Sequence, residues 1–501
     1  MQRRHLLQAL AAVLAAPSAF ADTPPPNDTF TRFQAARAGQ PWTLGFVGTD
    51  TDAEPLPLQM SGRIPAPLQG GAFWRNGPAR HQLGGFRFDH WFDGDGLLQR
   101  YALGRQGIVH QARFVRTPRF QADSRAGRPV RLAFGTAVPG AQVPSGPDDM
   151  NAANTSVLWH GGQLMALWEG GSATVMDPDT LQTQGFKTWR ADYTGVAFSA
   201  HPRVEPDGTL WNFGVTSSRG LLSVYRIARD GTLLQALTQA VPHIAMVHDF
   251  AVTERHLVFL LPPLVWDAGH PAGNFLDRHV WKPELGLRVL VLPKAALDQP
   301  LWFELPAGFV FHLGNACEDG GVIRLDCVQS PTAQAAQVQI RQLMQGRFDD
   351  RECTRPALLE LDLATRRARQ SLLDPVVEFP RVDPRVVGRR YRQVFLAHRS
   401  TPLPRPGFDA VLRLDVASGA SQRYVYGPDV MVEEHVFVPR DGGTKGGSEG
   451  EGWLVGTALD LARQEMLLSI FDAQHLADGP LAQGRLPRVM PLGLHGIFVG
   501  A

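Results

Sequence analysis

The sequence predicts an all-β fold, a closed and mostly antiparallel array of short strands. Three observations carry this. Glycine (51) and proline (39) are abundant among the 501 residues, which suits many tight turns better than long helices. Short runs rich in β-branched and aromatic residues recur along the whole chain, and most stop at Gly, Asp-Gly or Pro; residues 87–103, 154–170, 209–227, 256–264 and 411–419 are examples. Hydrophobic residues make up 44% and charged residues 19%, a globular balance.

Taken in order, residues 1–21 read as an address. Arg3 and Arg4 precede the apolar run of residues 6–17, and Ala19-Phe20-Ala21 is a small-x-small cleavage pattern. The paired arginines predict twin-arginine export to the periplasm. The run falls short of the roughly 20 residues a spanning helix needs, so the mature protein is expected to be soluble or membrane-peripheral. Residues 157–169 read as a hairpin about Gly161-Gly162, and similar turns are expected at Asp207-Gly208 and Asp230-Gly231. Residues 329–350 are the best helix candidate. The segments 261–266 and 277–289 read as excursions from the β-core. Residues 441–452, glycine-rich and polar, read as a mobile loop without the Lys-Ser/Thr ending of a phosphate-binding loop. No strong linker interrupts the chain, so residues 22–501 are expected to form one domain.

The net charge of +1 carries no electrostatic footprint for nucleic acid. Cys317, Cys327 and Cys353 lack metal-site spacing. They read chiefly as small buried residues, with one disulfide open to them in an oxidising compartment.

Chemistry is carried by four histidines in distinctive windows: His201 (residues 198–208), His248 (247–256), His312 (311–320) and His495 (491–500). Imidazole is the commonest metal ligand, and a rigid β-scaffold can bring distant ligands together. Asp249 follows His248 directly. On a strand it points the opposite way, which disfavours a two-histidine, one-carboxylate site. A cation held by neutral imidazoles needs buried counter-charge, and each ligating ring needs an acceptor for its second N–H. Glu169, Glu378 and Glu434 sit in apolar strand contexts that suit this task, and Glu433 competes with Glu434.

These windows, together with residues 73–80, 90–103, 153–185, 378–383 and 435–440, resemble the carotenoid oxygenase family along the length of the mature chain. The resemblance implies a seven-bladed β-propeller with a helical and loop dome over one face. It implies one Fe²⁺ per chain bound by His201, His248, His312 and His495, with Glu169, Glu378 and Glu434 behind three of them and His201 unbacked. His435 stands where the family usually has proline. Thr155 matches a threonine whose methyl group limits access to the iron's open position. The implied reaction is dioxygenase cleavage of a conjugated C=C bond by O₂ into two carbonyl products.

Stilbene-cleaving members carry a lysine immediately before the first glutamate. Here that position is Trp168, which favours an apocarotenoid-type polyene over a lignostilbene or phenylpropenoid. A non-catalytic propeller that only binds ligands is the reading from another class. For an insoluble polyene the entrance is expected to face a membrane, with the apolar stretch 257–266 as the candidate contact.

Overall fold

In the computed structural model, which describes residues 26–271, 273–440 and 447–501, seven sheets of four to six strands succeed one another around a central axis. The export leader at 1–21 lies outside these residues, as does the first half of the glycine-rich stretch, 441–446.

Blades 2 to 6 are consecutive antiparallel meanders: residues 156–186, 203–240, 250–305, 309–372 and 376–425. The remaining two are woven from distant segments. Blade 1 combines Ala53–Pro57, Ala72–Arg75, Asp95–Gly104 and Gly107–Phe114 with Gly496–Val499, which pairs with Ala72–Arg75. Blade 7 (430–486) takes Gln59–Gly62 as its outermost strand. The ring is therefore closed by two strand exchanges.

The turns form where the turn chemistry placed them. Gly161 and Gly162 both have positive φ (57° and 73°) between Ser156–His160 and Gln163–Leu167, the geometry that matches strand twist in a two-residue hairpin. Gly208 and Gly231 have φ of 88° and 90°, and the preceding aspartates accept from Thr209 and Thr232 N–H at 2.8 and 2.9 Å.

The core is a set of apolar seams between neighbouring blades. Trp211 and Phe213 of blade 3 meet Phe250 and Phe259 of blade 4, and Val258 and Leu260 of blade 4 meet Leu313 and Ile323 of blade 5. The same arrangement continues around the ring, with blade 7 packing on blade 1. For its strand residues, 257–261, this corrects the reading of the stretch 257–266 as a membrane contact. His256–Leu261 alternates between two seams, Leu257 and Phe259 on one side and Val258 and Leu260 on the other, all at most 2% exposed. A strand buried on both faces has no polar side, so its apolar run carries no information about a surface.

Helices Asp28–Arg37 and Pro118–Ala126, a helical segment at 335–344 and the excursion containing Leu264–Trp266 and His279–Trp281 lie off the blades, and several of their side chains roof the cavity described below. The helix expected over 329–350 is shorter. Gln329 and Ser330 end the strand Val322–Ser330, residues 335–339 form a π turn, and an α-helix runs only over Ile340–Met344 before Gly346 at φ 71°. Cys317 and Cys327 are buried, Cys353 is half-buried, and all three are free thiols.

Candidate metal centre

Every blade sends one residue to the axis from its innermost strand or the loop just ahead of it. In blades 1 to 4 that residue sits just ahead of the strand: His495 before Gly496–Val499, Thr155 before Ser156–His160, His201 before Arg203–Val204 and His248 before Phe250–Val252. In blades 5 to 7 it lies within the strand: His312 in Phe309–Asp319, Glu378 in Val376–Arg381 and Glu434 in Val430–Pro439. Each of these three strands slips its register at or beside that residue, between Val310 and Leu313, Glu378 and Arg381, and Val432 and His435. A β-bulge re-aims side chains without ending the strand. It explains how adjacent Glu433 and Glu434 are both buried and both used.

The four imidazoles converge, with a nitrogen from each ring within 4.8 Å of the other three. Nε2 to Nε2 distances are 2.9 Å from His201 to His248, 3.2 Å from His248 to His312 and 3.2 Å from His312 to His495. Two nitrogens bound at right angles to a metal with bonds of about 2.1 Å stand about 3 Å apart.

The proton positions make the same case. Nδ1 of His248 pairs with Glu169, Nδ1 of His312 with Glu378 at 2.6 Å, and Nδ1 of His495 with Glu434 at 2.8 Å. A neutral ring that donates from Nδ1 has a bare lone pair at Nε2. Three such lone pairs pointed at one another repel unless a cation lies between them. His201 has no carboxylate partner among the described residues.

Burial keeps two of the rings, His201 and His495, available as ligands. It pushes His495 down to about 3 against the pull of Glu434. Burial, reinforced by the neighbouring histidines, holds His201 well below its ordinary value. His248 goes the other way; burial lowers it, but the Glu169 carboxylate outweighs this and raises it.

Arg381 grips Glu434 with both ends of its guanidinium, at 2.7 and 3.0 Å, and reaches the Gly496 carbonyl at 3.1 Å. Burial opposes the Glu434 charge, yet Arg381 and His495 hold this carboxyl far below its ordinary range. Three glutamates and one guanidinium leave two negative charges at the site, which a divalent cation cancels. The other nearby charges neutralise each other. Asp249 faces away from the histidines and pairs with Arg203 at 2.7 Å, and Glu433 pairs with Arg75 at 3.1 Å while accepting from Thr457 and the Gly493 N–H. His435 keeps its strand regular beyond the bulge and bonds Tyr426 and the Glu433 carbonyl.

Sequence reasoning missed Arg381, Arg203 and Phe379. Phe379 has φ of 56°, a left-handed conformation uncommon for a bulky residue. Its ring lies 5.5 Å from those of both His312 and His495. The arginines stand in the windows already singled out, where basic residues after an apolar run look like ordinary surface.

Above the histidines lies a cavity of ≈ 1020 Å³, lined largely by aromatic and aliphatic side chains such as Phe92, Phe134, Trp266, Phe311 and Met431. Thr155, Trp168, Glu169, His248, His312 and His495 all reach it. Thr155 is fixed beside the cluster because the His495 N–H donates to its carbonyl at 3.3 Å and its own N–H donates to the Leu167 carbonyl at 3.0 Å.

A family model described as RPE65, retinal pigment epithelial membrane protein, matches residues 46–500. The chain belongs to this family, the carotenoid oxygenases. Among curated members it is 32% identical to apocarotenoid-15,15'-oxygenase of Synechocystis sp., covering 95% of this chain and 99% of that one. It is 30% identical to lignostilbene-α,β-dioxygenase isozyme III of Sphingomonas paucimobilis (92% and 98% covered) and 30% identical to isoeugenol monooxygenase of Pseudomonas putida (90% and 96% covered). Among solved carotenoid oxygenases, cobalt-substituted Synechocystis ACO superimposes with a TM-score of 0.82 at 28% identity, covering 92% of this chain and 98% of that one. Other structures of that oxygenase carry replacements of a threonine, a tryptophan and the glutamate after it, with the spacing of Thr155, Trp168 and Glu169 here.

Proposed function

We propose that this chain is a non-haem Fe(II) dioxygenase that splits a conjugated C=C bond of an apocarotenoid-type polyene with O₂, giving two carbonyl products. The observation that carries the reading is the convergence of four imidazole nitrogens at the floor of an aromatic cavity, three of them on rings whose Nδ1 faces a carboxylate. His201, His248, His312 and His495 would hold one iron per chain, and Glu169, Glu378 and Glu434 would fix ring tautomer and aim. Ferrous iron bound there supplies the single-electron chemistry by which O₂ can react with a closed-shell alkene.

The protein's own part is binding and exclusion. The aromatic walls hold a flat conjugated chain and keep water from the reacting carbons. Thr155 narrows the approach to the open side of the nitrogen cluster, and Trp168 forms apolar wall where a cation would recruit a phenol. One C=C and one O–O bond break and two C=O bonds form, so the substrate supplies all the electrons and no protein acid or base is needed. The named relatives are oxygenases, which argues against a purely binding role.

The lignostilbene and isoeugenol relatives keep an aryl-propenoid substrate as the second reading. The test is Fe²⁺-loaded protein given apocarotenoids, hydroxystilbenes and isoeugenol under ¹⁸O₂, with products read by mass spectrometry. Polyene aldehydes labelled at both carbonyls support the proposal. Turnover confined to stilbenes or isoeugenol moves the substrate class, and label in only one carbonyl defeats the dioxygenase assignment.

Export by residues 1–21 belongs to the same proposal. Mature protein beginning at Asp22 in the periplasm, lost on replacing Arg3 and Arg4 by Lys, is the expected outcome.

A further inference from the structure

The charged side chains that line the cavity are nearly all neutralised within the protein. Glu169 and Glu378 are bonded to histidines and Glu433 to Arg75. Asp93 is wrapped by the Phe134 and Gly135 N–H groups and the Thr136 hydroxyl, while Arg119 lies 3.9 Å from both Asp95 and Asp123. Two lining charges are left over, Arg219 and Arg278. Arg278 donates to the carbonyls of Ala268 and His270, at 3.2 and 3.4 Å, and lies 5.8 Å over the Trp266 ring, and Arg219 is exposed. Neither has a carboxylate within ion-pair distance among the described residues; Asp267 is taken by Lys282 and Asp277 by Arg341.

The two arginines come from adjacent turns at the solvent end of the cavity. Arg219 ends the turn Ser217–Arg219 of blade 3, and Arg278 ends the turn Leu276–Arg278 of the blade 4 excursion. The His279 ring joins these turns through Nε2 to the Ser217 hydroxyl at 3.2 Å. Phe275, 41% exposed, and Trp266 stand beside Arg278 and lead inward. The cavity thus offers an apolar bore with unmatched positive charge at its outer end, the complement of a long apolar molecule with an anionic tail.

We infer that the substrate, within the function proposed above, is a polyene that carries a carboxylate at the end remote from the cleaved bond, held by Arg219 and Arg278. The test compares an apocarotenoid carboxylic acid with the aldehyde of the same chain length as substrates for the iron-loaded enzyme. The acid is expected to have the higher kcat/KM by about tenfold at low salt, chiefly through KM, an effect limited by the solvent around the arginines. The acid-to-aldehyde ratio should fall about threefold in Arg219→Gln or Arg278→Gln and approach one in the double variant, while Arg→Lys keeps most of it. Raising NaCl from about 0.05 to 0.5 M should also shrink it, because partly exposed charges are screened.

A wild-type enzyme with no preference for the acid, or a double variant with the preference intact, overturns this inference and leaves the polyene assignment standing. Failure to cleave either compound defeats the proposed substrate class and this inference with it. If the double variant instead keeps its preference but no longer binds phosphatidylglycerol vesicles, the arginines serve a lipid surface.

Discussion

The two halves of the ring solve the same aiming problem differently. In blades 1 to 4 the axial residue stands on the loop just ahead of the innermost strand, and the strand runs regularly behind it. In blades 5 to 7 the strand continues through the axial residue, and each carries a register slip there. A continuous strand sends successive side chains to opposite faces, so it can point a chosen residue down the axis only by inserting one. The bulged half also contains the site's additional anchors, Phe379, Arg381 and the Glu433–Glu434 pair. It is the more strongly determined half, and its loss should cost more.

The largest effect is expected from His312→Ala, in a bulged strand and backed by Glu378. This variant should retain no stoichiometric metal and no oxygenase activity, whereas His201→Ala, ahead of its strand and without a carboxylate, should keep measurable metal at reduced affinity. Metal per chain after gel filtration decides it, and equal losses would erase the distinction between the halves.

Next come the glutamates. Glu434→Gln and Glu169→Gln should each weaken metal binding about 10- to 100-fold, but only Glu434→Gln strands the Arg381 guanidinium. An additional loss of about 2 kcal/mol in the stability of the metal-free protein follows, smaller than for a fully buried pair because Arg381 is 33% exposed. Equal denaturation midpoints for the two variants would remove the asymmetry.

The pH dependence follows from the same contact. Glu434 is held below the ordinary carboxylate value of 4.5. Its ion pair therefore adds stability above that pH, which is lost as the pH falls through the lower folded value. Denaturation of the metal-free protein between about pH 4.5 and 2 should be less steep in Glu434→Gln than in the wild type.

A smaller effect tests the strain at Phe379. At a regular strand position alanine is more stabilising than glycine, but with φ at 56° Phe379→Gly should be the more stable of the two by about 1 kcal/mol. The reverse order in thermal unfolding would show that the bulge relaxes when the ring is removed. The smallest change is expected from Trp168→Lys, on the unbulged side: measurable turnover of hydroxystilbenes without loss of metal. No gain across a hydroxystilbene panel would place the determinant of substrate class elsewhere in the cavity.

Much of this was legible in the residues. The four histidine windows, the three glutamates and the hairpins at Gly161-Gly162, Asp207-Gly208 and Asp230-Gly231 are local signals, and each depends on a few adjacent residues. What stayed hidden depends on pairing between distant segments. The family resemblance already pointed to Glu434 over Glu433, but that both are buried, one facing His495 and the other Arg75, required the bulge, and the closing strands Gln59–Gly62 and Gly496–Val499 have partners more than 400 residues away. The apolar run 257–266 misled because a strand packed on both faces and a membrane-facing patch have the same composition. Only the place of its strand, His256–Leu261, between two seams separates them.

The double strand exchange has a consequence for how the molecule fails. A ring clasped at both of its woven blades has no free end from which to unzip, and each of its seven sectors sends one group to the hub. Loosening any one sector widens the whole circle and pulls the four nitrogens apart. Release of the metal and collapse of the barrel of sheets should therefore occur together, as one event on heating or protease attack, rather than sector by sector.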